Sequence, residues 1–174
     1  MLIAMAGLPG TGKSTIARAL ARAVDAVVLD KDIIRAALFP PEAIEYSSEQ
    51  DDLCVSIMLQ VAEFALSRRP ERAIILDGHT FSRSYQVEAV VNASEEMATG
   101  LAFIECTCAE RTALRRLAAD RASGDHPAAN RDAALYYRVK ARAEPLYYPH
   151  LMLDTEQPLG ICIAQCLAYL GLDN

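Results

Sequence analysis

Short, almost wholly apolar runs alternate along this chain with longer stretches that are apolar only at every third or fourth position. Leu2 to Ala6, Ala26 to Asp30, Ala73 to Asp77 and Leu101 to Cys106 are of the first kind, the second and third each ending in a carboxylate. Runs of that length suit strands buried on both faces of a sheet. Between them the period is helical. Ile16, Ala17, Leu20, Ala21 and Val24 mark one helix, and residues 32 to 38 give about two turns before Phe39-Pro40-Pro41 stops them. From Ser48 to Arg68, Leu53, Ile57, Val61 and Ala65 form one row with Cys54, Met58 and Ala62 beside it. That pattern predicts a long amphipathic helix, its start at Ser48 marked by Asp51 three residues on. Further helices are expected over about 84 to 97, 109 to 122, 131 to 144 and 159 to 170, and a fifth strand near 148 to 153. Five strands alternating with helices predict an α/β protein with a parallel sheet covered on both faces. With 174 residues and no repeat or linker, a single domain over 1–174 is expected.

Charge adds an asymmetry to this frame. Net charge is −6, which does not suit a protein that coats nucleic acid or an anionic membrane. Residues 36 to 67 hold six acids and no Lys or Arg, whereas residues 109 to 143 hold eight basic residues against four acids. The first segment is a candidate substrate-facing surface and the second a candidate cover for phosphate. The five cysteines, Cys54, Cys106, Cys108, Cys162 and Cys166, fall in apolar segments and read as reduced core thiols. Neither the Cys106-x-Cys108 pair nor the Cys162/Cys166 pair has a second ligand pair at zinc spacing. With no basic leader and no apolar run near the ~20 residues of a membrane span, the expected location is the cytoplasm.

The most specific chemistry follows the first strand. Gly7-Leu8-Pro9-Gly10-Thr11-Gly12-Lys13-Ser14 matches G-x-x-x-x-G-K-[ST] at every fixed position, between a strand and a helix as the motif requires. Glycines let backbone N–H groups turn in on a β-phosphate, and the helix that begins at Lys13, Ser14 and Thr15 points its positive end at the anion. Lys13 should reach the β- and γ-phosphates, and Ser14 should ligate Mg²⁺.

Three clusters should meet at the carboxyl ends of the strands: this loop, Asp32 with Arg35, and Asp77 with His79. The i, i+3 spacing sets Asp32 and Arg35 on one helix face. In phosphoryl transfer a carboxylate can take the acceptor's hydroxyl proton while a guanidinium orients it. Asp77 ends its strand where a magnesium-bound water or an acceptor would sit. His79 reads first as a polar surface residue of a loop, with substrate contact as the alternative; His126 and His150 are given no role.

The run GLPGTGKST, the segment Leu29-Asp30-Lys31-Asp32-Ile33-Ile34-Arg35 and the strand ending at Asp77 together resemble a P-loop kinase group of the AAA_33 type. That group includes polynucleotide 5′-hydroxyl kinases, chloramphenicol phosphotransferase and zeta toxins, which carry a D-x-x-R motif after strand two. The resemblance covers roughly residues 1 to 145. It implies a Rossmann-like P-loop NTPase fold, three-layered, with a five-stranded parallel sheet in the order 2-3-1-4-5 and a short helical lid at about 115–135. It also implies Asp32 as general base, Arg35 on the acceptor side, and a lid arginine on the transferring phosphate. Arg121 is the choice for that arginine, with Arg116 and Arg131 behind it. Where the group often has Ser or Asn two positions before the motif Asp, this chain has Asp30, so Asp30 and Asp32 both stand as candidate bases. No D-x-D-x-[TV] phosphatase motif accompanies the kinase segment, which speaks against repair of nucleic-acid ends.

The expectation is therefore a Mg²⁺- and ATP-dependent kinase acting on a hydroxyl of a small molecule. The alternatives are a nucleoside, nucleotide or polynucleotide 5′-kinase, and a nucleotide-binding switch with no acceptor. The acidic segment 36–67 further predicts a neutral or cationic acceptor and no nucleic-acid partner.

Overall fold

Successive side chains of a strand point to opposite faces, so Leu2, Ala4 and Ala6 can fill one side of a sheet while Ile3 and Met5 fill the other. Every residue of β1 (Leu2–Ala6) is buried in this way. The computed structural model describes residues 1–123 and 132–172. In it β1 is the central strand, paired in parallel with β3 (Ile74–Asp77) and β4 (Leu101–Thr107). The edges are β2 (Val27–Asp30) and β5 (His150–Asp154), and the order is 2-3-1-4-5. The resemblance implied this order.

Helices cover both faces. On one side, α1 (Lys13–Val24) and α7 (Leu159–Leu170) pack Ile16, Leu20, Cys162 and Cys166 against Ile3, Met5, Ile75 and Ile104. On the other, α3 (Ser48–Arg68) and α4 (Ser84–Glu96) pack Met58, Ala62 and Val90 against Leu2, Ala4, Leu76 and Phe103. Each large apolar side chain so buried contributes about 1.5–3 kcal/mol relative to leaving it in water. The short α2 (Lys31–Leu38) leaves β2 without an intervening loop, and a 3₁₀ turn (Pro41–Ala43) follows it. Finally α5 (Glu110–Ser123) and α6 (Ala133–Arg142) meet through Ala113, Leu117 and Tyr136, with Leu8 packed against that small core. Among the described residues no helix is long and apolar enough to cross a membrane.

Two expectations about α3 need correction. Its N-cap is Ser47, whose hydroxyl accepts from the Gln50 N–H, so Gln50 and not Asp51 stands at the capping-box position, and the Asp51 carboxylate is instead in ion pairs with α2. The buried stripe is Cys54, Met58, Ala62 and Leu66, while Leu53 and Val61 face outward. Both rows are apolar, so periodicity alone does not choose between them.

Candidate active site

The carboxyl ends of β1, β2 and β3 lie along one edge of the sheet, and the polar residues of the sequence motifs gather there. The loop from Gly7 to Gly12 leaves β1 and is tied to the next loop by the Gly7 N–H, which donates to the Thr80 carbonyl at 3.1 Å. Gly10 has φ +79°, and a Cβ on it would stand 2.5 Å from the Ala113 carbonyl oxygen, so the loop presses directly on α5. A side chain there would push α5 away. Lys13 is 9% exposed and curls back over the loop, donating to the Gly7 and Leu8 carbonyls at 2.8 and 2.9 Å.

Two cavities flank Lys13. The larger, about 350 Å³, runs between α1, α5 and the β5–α7 loop, and Gly12, Ser14, Thr15, Arg18, Arg116, Asp120 and Gln157 are among its walls. Its inner corner is a polar relay. Arg116 donates to the Thr155 hydroxyl and carbonyl at 2.9 and 2.8 Å, and the Thr155 hydroxyl lies 2.7 Å from the Thr11 carbonyl oxygen. The guanidinium so held sits beside the loop, its Nη1 3.4 Å from where a Cβ on Gly12 would be. Glu156, next in the same β5–α7 loop, accepts from the Ala109 N–H and the Thr112 hydroxyl, fastening this wall to the start of α5.

The smaller cavity, about 120 Å³, lies on the other side of Lys13 and, among the described residues, shares only Lys13 and Gly78 with the first. Its polar walls are Lys31, Asp32 and Arg35 from α2, Asp51 from α3, Tyr46, and His79 after β3; Pro9, Leu135 and Val139 close it with apolar surface. Arg35 is 2% exposed. Its Nη1 donates to Asp32 Oδ1 at 2.6 Å, its Nη2 donates to Asp51 Oδ1, and its guanidinium lies 5.1 Å over the Tyr46 ring. Lys31 Nζ is 2.8 Å from the same Asp51 oxygen. Gly78, at φ +82°, lets β3 turn so close to α2 that a Cβ would meet Asp30 Oδ1 and the Lys31 N–H, each at 3.0 Å.

Burial sets the protonation of this edge. It holds the His79 imidazole well below its ordinary value, and the cations Lys31, Lys13 and Arg35 push the same way, so His79 is neutral. Burial also lowers Lys31 to about 8. Asp30 is raised by burial first and by Asp77 next, its register partner on the neighbouring strand, against the stabilising N–H bonds from Asp32 and Ile33. Asp77 is 1% exposed, and neither of its oxygens has a hydrogen-bond partner among the described residues.

Asp32, Arg35, Asp77, His79 and the whole phosphate loop thus converge, as their strand-end positions predict. Asp30 stands apart in role: its carboxylate caps α2, accepting from the Asp32 N–H at 2.9 Å. His79 is not a surface residue, because its ring packs edge-on against Phe81 with centroids 4.9 Å apart. The acidic wall expected from segment 36–67 is not there. Glu42, Glu45, Glu49 and Glu63 are exposed, Asp52 accepts from the Tyr85 hydroxyl, and only Asp51 reaches the cavity, where two cations meet it. Arg121 is exposed near the end of α5, whereas Arg116, one and a half turns earlier, lines the large cavity. Gly124, His126, Pro127 and Arg131 lie outside the described residues. Sequence reasoning passed over Lys31, Tyr46 and Thr155. The one available signal was a lysine wedged between two motif carboxylates, which is a costly place for a charge unless the site uses it.

The chain matches the AAA domain family, AAA_33, over residues 2–146. No curated protein sequence matches it. Among solved structures it is similar to a sugar kinase from Janibacter sp. HTCC2649, with 17% identity, 98% of this chain and 94% of that one covered, and a TM-score of 0.71. A gluconokinase from Sinorhizobium meliloti 1021 is 18% identical over 97% of this chain and 90% of that one, with a TM-score of 0.67. The Mycobacterium tuberculosis APS kinase, in complex with AMPPNP and APS, is 17% identical over 98% and 96%, with a TM-score of 0.69. At these identities the likeness is one of fold.

Proposed function

The chain belongs to the AAA_33 family of AAA domains, and on that footing we propose that it is an ATP-dependent kinase that phosphorylates a hydroxyl group of a small molecule. The observation that carries this reading is the pair of cavities that meet at Lys13 and, among the described residues, share only that residue and Gly78. The larger has the size and the N–H-rich loop to take a nucleoside triphosphate, and the smaller opens onto a carboxylate and a guanidinium. A nucleotide switch needs the first cavity and has no use for the second.

In this reading Lys13 exchanges the Gly7 and Leu8 carbonyls for β- and γ-phosphate oxygens. Asp32 has one oxygen committed to Arg35, which fixes the carboxylate and leaves Oδ2 to take the acceptor's proton. Neutral His79 offers one N–H donor and one acceptor to position the hydroxyl compound. Arg116 faces the phosphates from where it stands, and Arg121 would reach them only if the end of α5 closes over the nucleotide. Mg²⁺ fits the residues present. A buried carboxylate whose oxygens have no hydrogen-bond partner among the described residues, at Asp77, and the hydroxyl of Ser14, next to Lys13 in the chain, supply the hard oxygen donors such an ion prefers. When bound, it would neutralise charge on the phosphate oxygens.

A nucleotide or polynucleotide 5′-hydroxyl acceptor is the second reading, supported by the cations of the small cavity; its volume of about 120 Å³ favours a smaller molecule. The deciding assay follows label from γ-labelled ATP into a panel of hydroxyl compounds, with ATP hydrolysis measured alongside. Steady hydrolysis with no acceptor labelled and no acceptor-dependent rate would reduce the protein to an ATPase or switch.

A further inference from the structure

Lys31 is a residue of the small cavity for which proton transfer and nucleotide binding have no use. It opens α2 directly after the strand, and its side chain is 9% exposed. Its amine is 2.8 Å from Asp51 Oδ1 and 3.9 Å from Asp32 Oδ1. Arg35, one turn on, reaches that same Asp51 oxygen with Nη2. Two cations from one helix therefore converge on one carboxylate oxygen brought by another. The cations are the buried partners, whereas the Asp51 side chain is 27% exposed.

The guanidinium adds a second observation. Arg35 uses Nη1 for Asp32 and Nη2 for Asp51, and its Nε has no hydrogen-bond partner among the described residues although the side chain is 2% exposed. Nε and Nη2 form one edge of the planar fork, the edge that takes two oxygens of an oxyanion side by side. Asp51 fills half of it. An unpartnered buried N–H of a cation is costly, and the neutral His79 ring lines the same cavity.

We propose that Lys31 and Arg35 form a subsite for an oxyanionic group of the acceptor, a carboxylate, sulfate or phosphate, and that Asp51 is the resident carboxylate which such a group displaces. The acceptor is then a hydroxyl compound that carries an acid, not the neutral or cationic one that segment 36–67 suggested. Placing this group on the acceptor rests on the kinase reading; the subsite itself does not. An arriving oxyanion takes the Arg35 Nε and Nη2 edge and the Lys31 amine, and Asp51, the most exposed member of the network, turns to water.

The test uses inorganic sulfate as the probe and protein saturated with AMP-PNP, so that the phosphate loop is occupied. Thermal unfolding is followed as sulfate is added against sodium chloride of equal ionic strength. Sulfate should raise the unfolding temperature by a few degrees in the wild type and in Lys31→Arg, and no more than chloride in Lys31→Gln. Asp51→Asn, which removes the competing carboxylate, should lower the half-saturating sulfate concentration several-fold. Equal responses to sulfate and chloride in the wild type, or an undiminished sulfate response in Lys31→Gln, would overturn the proposal. A second arm offers matched pairs, glycerate with glycerol and gluconate with glucose, with γ-labelled ATP; preferential labelling of the uncharged member would also overturn it. Failure of AMP-PNP to bind, with Lys31-dependent stabilisation by sulfate intact, would instead remove the kinase reading and leave the subsite.

Discussion

Arg35 Nη1 stands 2.6 Å from Asp32 Oδ1, so the carboxylate proposed as base is held by a guanidinium that is itself buried and fixed by Asp51. Asp30, two residues earlier, is instead spent on capping α2. The two candidates can be told apart without disturbing the helix, because Asn is as good an N-cap as Asp. Asp32→Asn should lower kcat by about 10² to 10⁴, the usual range for a general base, and leave nucleotide affinity within a few-fold. Asp30→Asn should keep most of the activity. The reverse ranking in steady-state rates would move the base to Asp30.

Lys13→Ala removes a cation that no backbone amide replaces, at the junction of the two cavities. Turnover should fall by at least about 10²-fold, the scale for losing one preorganised donor to a developing charge. The fold should persist, since the partners it gives up are loop carbonyls beside an open cavity. Retention of wild-type turnover, with circular dichroism unchanged, would remove the phosphate loop from the mechanism.

Thr155→Val is nearly isosteric but deletes the hydroxyl that accepts from Arg116 and lies 2.7 Å from the Thr11 carbonyl oxygen. Thr155 is buried, so its partners are left unsatisfied, at a cost of about 1–3 kcal/mol in denaturant unfolding. Freed of its anchor, Arg116 loses its position beside Gly12, and the Kd for nucleotide should rise several-fold. An unchanged nucleotide titration would confine the relay to a structural role.

What the sequence made legible follows from what is local. The apolar runs placed all five strands within two residues, most securely β1, β3 and β4, since a strand covered on both faces must be apolar throughout. The phosphate loop and the Asp32/Arg35 pair were readable because their geometry is set by a turn and by i, i+3 spacing. Asp51 and Lys31 were not, because their meeting depends on how α3 lies across α2, which no periodicity encodes. Composition even pointed the wrong way: six acids in segment 36–67 suggested an acidic wall, but most of them face solvent. His79 misled for a related reason, since it is buried and packs edge-on against Phe81, a residue at φ +48°, which no local pattern encodes.

Lys31 also gives the site a pH dependence with opposite signs for binding and stability. Burial, aided by Arg35, lowers its amine to about 8 from 10.5, against the opposing pull of Asp32, Cys54 and Asp30. Asp51 also faces it, as the ion-pair partner, and neutral His79 lines the same cavity. Above about pH 8 the folded protein therefore loses this charge, and an oxyanionic acceptor loses a partner, so acceptor KM should climb between pH 7 and 9. Stability runs the other way. Between about 8 and 10.5 the unfolded chain still holds the proton that the native state has released, so this group makes unfolding harder as pH rises through that window. Below about 8 both states are protonated and its contribution to the slope disappears. The cysteines complicate absolute curves, because burial raises Cys54, Cys106 and Cys166 and a thiol kept protonated in the fold reverses the slope above its unfolded value. Comparison of wild type with Lys31→Gln at pH 7, 8 and 9 cancels those thiols. Acceptor KM should climb with pH in the wild type alone, so that its advantage over Lys31→Gln shrinks, while the difference in unfolding free energy shifts toward the wild type. A KM that is flat from pH 7 to 9, or one that climbs equally in Lys31→Gln, would take Lys31 out of acceptor binding.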